Sequence, residues 1–238
     1  MQCEYEEMVW RLGNKTTKGY RCYGEGKIEI KERGFIIDGI RRKDPEAYPQ
    51  PENFADASEL QLIAKDILYF PKGLQKFFQH LLNLELTLSK LKEIKQEDLK
   101  VFPDLQALNL NFNFIEVLEK DLFKFNPKLR TIRMHSNSIN FIDQNIVDDL
   151  KVLSVFILGS NTCINFSAKN RASVVNFLTV KIKNNCLNYG ELEITKKVEK
   201  TGTQHGKYFW VLVGCGVIVG VFLMFAVLRT VYLILKKN

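Results

Sequence analysis

One apolar spacing returns every 24 residues through the middle of the chain, and it limits the fold more than any other feature. Leu81, Leu84, Leu86, Ser89, Leu91 and Ile94 make one copy of the pattern LxxLxLxxNxL. Leu105, Leu108, Leu110, Asn113, Ile115 and Leu118 make the next, and further copies start at Leu129 and Leu153. Stepping back by 24 finds a degenerate copy in Ala57, Leu60, Leu62, Lys65, Ile67 and Phe70. A unit this short buries its apolar face only against its neighbours, so five copies in register predict a stacked solenoid.

The LxL core of each copy places two apolar side chains on one face of a short strand. Stacking then predicts a curved parallel sheet with strands near 60–62, 84–86, 108–110, 132–134 and 156–158. Asn113, Asn137 and Asn161 fall where the chain leaves its strand, and they are expected to bond backbone groups as a ladder. The convex side is apolar as well, through Leu99, Phe102, Phe123, Phe125, Val147 and Leu150. The fold class is therefore α/β, a solenoid of about five repeats whose open ends need caps.

Period-two alternation also identifies the side chains that face away from the core. Between the paired leucines lie Gln61, Glu85, Asn109, Arg133 and Ile157, followed two residues later by Ile63, Thr87, Asn111, His135 and Gly159. Leu88 and Phe112 stand beside this column, with Phe114 close by. Mixed polar groups bordered by exposed aromatics characterise protein-binding surfaces. The candidate binding residues are Glu85, Asn109, Asn111, Phe112, Arg133 and His135, and the expected ligand is a protein partner or co-receptor.

Cys3 and Cys22 lie among short strand-like segments at the N-terminus. Cys163 sits in the last repeat, and Cys186 follows an amphipathic helix expected around 171–180. Pairing Cys3 with Cys22 and Cys163 with Cys186 would close two loops of about 20 residues, each contributing ~3 kcal/mol. Other pairings, or free thiols in a reducing compartment, fit the sequence too. Asn14 (NKT) and Asn165 (NFS) are N-glycosylation sequons.

Residues 208–228 run 21 positions without a charge. As a helix this stretch would be about 31 Å long, the thickness of a bilayer's hydrocarbon core. Tyr208, Trp210 and Tyr232 fall at interfacial depth, and Arg229, Lys236 and Lys237 follow the span. The layout read from these signals is an N-terminal cap over 1–56, repeats over 57–166 and a C-terminal cap over 167–190. A juxtamembrane linker over 191–207, a transmembrane helix over 208–235 and a short tail over 236–238 complete it.

The opening CEYEEMVWRLGNKTTKGYRCY, the ILYFPKGLQKFF segment, the repeats and the closing LGSNTCINFSA with its later cysteine resemble secreted or membrane leucine-rich-repeat proteins of insects, particularly flies and midges. The likeness extends to Cys186 and implies extracellular, non-catalytic recognition or adhesion, with co-receptor or innate-immune roles among the possibilities. Such proteins normally begin with a signal peptide. Residues 1–20 carry Glu4, Glu6 and Glu7 and no apolar stretch, so a truncated or processed form is expected. The expected location is the plasma membrane, with residues 1–207 outside. The alternative is a tail-anchored scaffold on an internal membrane, its repeats in the cytosol.

Composition and motifs exclude other classes. The formal charge of +7 shrinks to +3 over residues 1–206, with 30 basic residues against 27 acidic, and no basic run is interleaved with aromatics. Nucleic acid is therefore not an expected partner. His80, His135 and His205 are the only histidines, and none stands in a metal-ligating or nucleophilic motif. No enzyme activity, cofactor or metal is expected. The sequence leaves the oligomeric state open.

Overall fold

A computed structural model describes residues 1–12, 15–42, 57–180 and Cys186. The chain divides into two compact units, Met1–Asn188 and Tyr189–Asn238, and every described residue belongs to the first. The apolar stretch 208–235, the linker before it, the tail after it and Asn14 lie outside the described residues. Among the described residues no helix is long and apolar enough to cross a membrane.

The repeats form parallel strands β5 (Ala57–Ile63), β7 (Asn83–Thr87), β8 (Ala107–Asn109), β10 (Thr131–Arg133) and β12 (Val155–Ile157). They are consecutive neighbours in one sheet, so four turns of solenoid separate the first from the last. Leu60 pairs with Leu84, Leu84 with Leu108, Leu108 with Ile132, and Ile132 with Phe156. The 24-residue period of the sequence is thus the pitch of the fold, and both apolar positions of every LxL pair are buried. β8, β10 and β12 stop one residue short of their second apolar position. The backbone N–H groups of Leu110 and Met134 still donate to Arg133 and Ile157 O, each at 2.8 Å.

The asparagine ladder forms where the chain turns out of the sheet. Asn137 Oδ1 accepts from Ile115 N at 3.0 Å, and its Nδ2 donates to Leu110 O at 2.9 Å and Met134 O at 3.2 Å. Asn113 and Asn161 repeat this arrangement one turn before and one turn after. Each amide satisfies backbone groups of two adjacent turns, and successive amides share the carbonyls of Leu110 and Met134. Ser89 holds the equivalent place in the first full repeat, its hydroxyl accepting from Lys65 N at 3.2 Å. On the convex side Leu99, Phe102, Phe123, Val147 and Leu150 are core, whereas Phe125 is exposed and Leu122 is buried instead. The turn at 121–125 directs Leu122 and Phe123 inward and leaves Phe125 facing solvent.

Both ends are covered. β1 (Gln2–Leu12) and β2 (Lys15–Glu25) form an antiparallel hairpin, longer than the short segments expected there. β2 runs parallel to β5 and extends the sheet over the open edge of the first repeat. Gly24 permits this approach, since a Cβ there would fall 2.3 Å from Leu62 Cδ2. Cys3 and Cys22 are bonded and wholly buried inside the cap. At the other end β13 (Ser167–Ala168) pairs antiparallel with β12, and an α-helix over Arg171–Val180 spans the expected helix. Cys163 is bonded to Cys186.

Arg171 provides a closure that the repeat pattern does not announce. In an interior turn, Asn126 Nδ2 donates to Leu99 O at 2.9 Å and Phe102 O at 2.8 Å. After the last repeat no such asparagine follows. Arg171 Nη1 donates there instead, to Val147 O at 3.2 Å and Leu150 O at 2.6 Å.

Candidate functional site

The outward side chains of β5, β7, β8 and β10 form one face. Each strand contributes alternate residues, and the parallel register brings Gln61, Glu85, Asn109 and Arg133 into a single row. The structure therefore gathers the predicted residues, with differences in how far they reach solvent. Arg133 is exposed, whereas Glu85, Asn109, Asn111 and His135 are half-buried. Gln61 and Thr87, read from alternation as outward and solvated, are buried. Each folds onto an adjacent carboxylate: Gln61 Nε2 donates to Glu59 Oε1 at 2.7 Å, and the Thr87 hydroxyl donates to Glu85 Oε1 at 3.3 Å.

Two carboxylates anchor the N-terminal end of this face. Glu59 is only 2% exposed and accepts from Arg21 Nη2 at 3.1 Å. Burial opposes the charge on Arg21, but hydrogen bonds to Glu59 and Tyr23 outweigh it and raise the guanidinium pKa. The next strand carries Glu85, which accepts from Asn109 Nδ2 at 3.1 Å. Burial pushes the Glu85 carboxyl above the ordinary glutamate range; the Thr87 hydroxyl pulls it down, and the nearby Glu59 charge pushes it up again. Glu59 and Arg21 escape a search for the LxL column, although Glu59 lies two residues before Gln61 and so shares its phase.

His135 lies two residues beyond the end of β10. Its backbone N–H donates to Asn111 Oδ1 at 2.8 Å, and its ring meets Phe112 edge-on at 5.4 Å between centroids.

A second regularity borders the polar row. Ala64, Leu88, Phe112, Ser136 and Ser160 all have left-handed backbone, with φ between 52° and 56°, and they too recur every 24 residues. A non-glycine residue in this region is uncommon, and for a bulky side chain it is an outlier. The solenoid imposes the conformation. Phe112 N donates to His135 O at 2.9 Å and Ser136 N to Gly159 O at 2.9 Å, so every turn must bend alike to bond the next. Small residues fill this position in three turns. Leu88 and Phe112 fill it in the other two and are 56% and 47% exposed. Their side chains therefore stand together on the rim, beside Glu85, Asn109 and His135.

A sequence profile described as leucine rich repeat matches residues 103–163. The chain carries leucine-rich repeats. Proteins built on them are generally non-catalytic binding proteins. Among solved structures, the chain is similar to one in the crystal structure of a TLR13–ssRNA13 complex, with 22% identity and a TM-score of 0.43. That similarity covers 55% of this leucine-rich-repeat chain and 18% of the solved one, so this chain spans less than a fifth of the other's length. No curated protein matches it. Among the described residues no group of three or more His, Cys, Asp or Glu side chains is placed to hold a metal ion.

Proposed function

We propose that the face formed by Glu85, Asn109, Asn111, Arg133 and His135, with Phe112 on its rim, binds a protein partner, and that the chain serves as a membrane-anchored recognition or adhesion protein. The observation that carries this reading is the pair Leu88 and Phe112. Two large apolar side chains are held in an unfavourable backbone region and left in water, where small residues serve the same fold in the other turns. Exposed strain of this kind clusters at ligand clamps. Phe112 and Arg133 belong to the residue types enriched at binding hot spots.

The charge of the face favours protein over nucleic acid. Arg21 is matched by Glu59, and Glu85 on β7 lies between Glu59 on the adjacent β5 and Arg133 on β10, with Asn109 of β8 intervening. A phosphate backbone would meet carboxylates as often as cations. Two disulfide-closed caps suit an oxidising compartment, which supports an outside location for residues 1–207. In this reading residues 208–235 provide the anchor.

The deciding experiment is capture of a partner with the repeat domain, residues 1–206, followed by affinity measurements on variants. Arg133→Ala and Phe112→Ala should each weaken binding about thirtyfold, the equivalent of ~2 kcal/mol. Lys124→Ala, on the convex surface, should bind as the wild type does. The opposite outcome, with Lys124→Ala impaired and the other two intact, moves the site to the convex surface.

A further inference from the structure

The proposed face carries a landmark at its C-terminal end. Gly159 closes the outward row, and a Cβ built on it would lie 3.0 Å from His135 Nδ1 and 3.3 Å from Asn165 Oδ1. Asn165 is therefore brought to the edge of the same surface as His135, although 30 residues separate them in sequence. It is exposed and heads the sequon Asn165-Phe166-Ser167, whose Ser167 is exposed as well. Its amide is oriented by one hydrogen bond, from Ser160 N to Oδ1 at 3.2 Å. Among the described residues its Nδ2 donates to none.

The repeat asparagines are the contrasting case. Asn161, four residues earlier and followed by Thr162 and Cys163, is half-buried and uses Nδ2 on Met134 O at 2.9 Å and Leu158 O at 3.0 Å. A substituent on that nitrogen would break the ladder. A substituent on Asn165 Nδ2 would break nothing the structure contains and would project into solvent.

We propose that Asn165 carries an N-linked oligosaccharide, and that this glycan covers the C-terminal end of the face around Gly159 and Ile157, confining a partner to the part between β7 and β10. The inference rests on the reading of that face as the binding surface. In the attachment step a polyprenyl-diphosphate-linked oligosaccharide is the donor. The bond from sugar C1 to Asn165 Nδ2 forms, the bond from C1 to the diphosphate oxygen breaks, and the amide proton leaves with the polyprenyl diphosphate. Attachment requires the chain in the secretory lumen, the compartment in which its disulfides form. A branched glycan is larger than any side chain on the face, so the open area lies over Glu85, Asn109, Phe112 and Arg133.

The test uses the full chain expressed in eukaryotic cells behind a cleaved secretory leader. Disulfide mapping confirms first that Cys3 is bonded to Cys22. Enzymatic deglycosylation in heavy-oxygen water should then convert Asn165 to a labelled aspartate, and Asn165→Gln should remove one glycan's mass. An unmodified Asn165 peptide from disulfide-bonded protein overturns the proposal. Masking is read separately, by the rate at which a polymer-linked maleimide labels Ile157→Cys and Asn109→Cys before and after deglycosylation. Ile157→Cys should react at least several-fold faster once the glycan is removed, and Asn109→Cys at an unchanged rate. Equal rates at Ile157→Cys would show that the glycan leaves the face open. None of these measurements involves a partner, so failure here and failure of the binding assignment are separate results.

Discussion

The Phe112 ring stands edge-on to the His135 imidazole, with ring planes at 88° and centroids 5.4 Å apart, while Phe112 N donates to His135 O at 2.9 Å. The same two residues are thus joined through backbone and side chain, and the backbone bond holds Phe112 at φ 56°. Left-handed geometry costs an L-residue roughly 1–2 kcal/mol and glycine nothing, although glycine loses more freedom on folding. Phe112→Gly is accordingly expected to be more stable than Phe112→Ala by about 0.5–1 kcal/mol, because both lose the ring contact and only alanine keeps the strain. Both should lose partner binding alike. Denaturant titration of the two variants checks the order, and a less stable glycine variant would rule out the strain.

Asn137 should be among the least replaceable polar residues. Its removal leaves Ile115 N without its partner and takes one of two amide donors from each of Leu110 O and Met134 O. Buried unsatisfied groups cost about 1–3 kcal/mol, and Asn137→Ala is expected near the upper end of that range. Ser89→Ala should cost less, about 1 kcal/mol, because the hydroxyl spans fewer backbone groups. Urea unfolding midpoints give both values. Equal losses would mean that the ladder does not distinguish the amide from the hydroxyl.

The difference between these two positions also marks what a sequence can disclose. The strand register was legible because the apolar period and the solenoid pitch are the same quantity, and the ladder asparagines were legible because they share that period. Other features depend on contacts that the period does not encode. Gln61 and Thr87 have the phase of exposed residues, yet hydrogen bonds to Glu59 and Glu85 fold them onto the sheet. Arg171 reads as one cation on an amphipathic helix, and its role follows from carbonyls that only the finished last turn presents to it. Leu88 and Phe112 could be placed beside the binding column from spacing alone. Their left-handed backbone could not, because leucine and phenylalanine are poor indicators of it.

Glu85 links the face to pH. Burial raises its carboxyl pKa in the folded chain, so the folded state holds the proton more tightly than the unfolded state does. Its favourable contribution is complete below the unfolded glutamate value and is lost as pH rises through the folded one. At neutral pH the ionised group is therefore a liability. Glu85→Gln removes the charge and keeps an amide oxygen to accept from Asn109 Nδ2. The variant should be more stable than the wild type at neutral pH, and its advantage should shrink to nothing as pH falls below the ordinary glutamate range. Thermal melts across that interval test it, and an advantage that grows on acidification would reverse the assigned direction.

The two disulfides should differ in access to a reductant. Cys3 and Cys22 are both 0% exposed inside the hairpin cap, whereas Cys163 and Cys186 are only partly buried at the other end. Thiol–disulfide exchange needs in-line attack on a sulfur, so access governs its rate in the folded protein. Low concentrations of a dithiol under native conditions are expected to open Cys163–Cys186 first and to leave Cys3–Cys22 intact until the cap unfolds. Each bond closes a comparable loop, with sequence separations of 23 and 19 residues, so each stabilises its cap by a similar ~3 kcal/mol. The order of opening thus reports exposure and not loop length. Timed alkylation followed by peptide mapping distinguishes the sites. Simultaneous labelling of all four cysteines would mean that the N-terminal cap opens as readily as the C-terminal one.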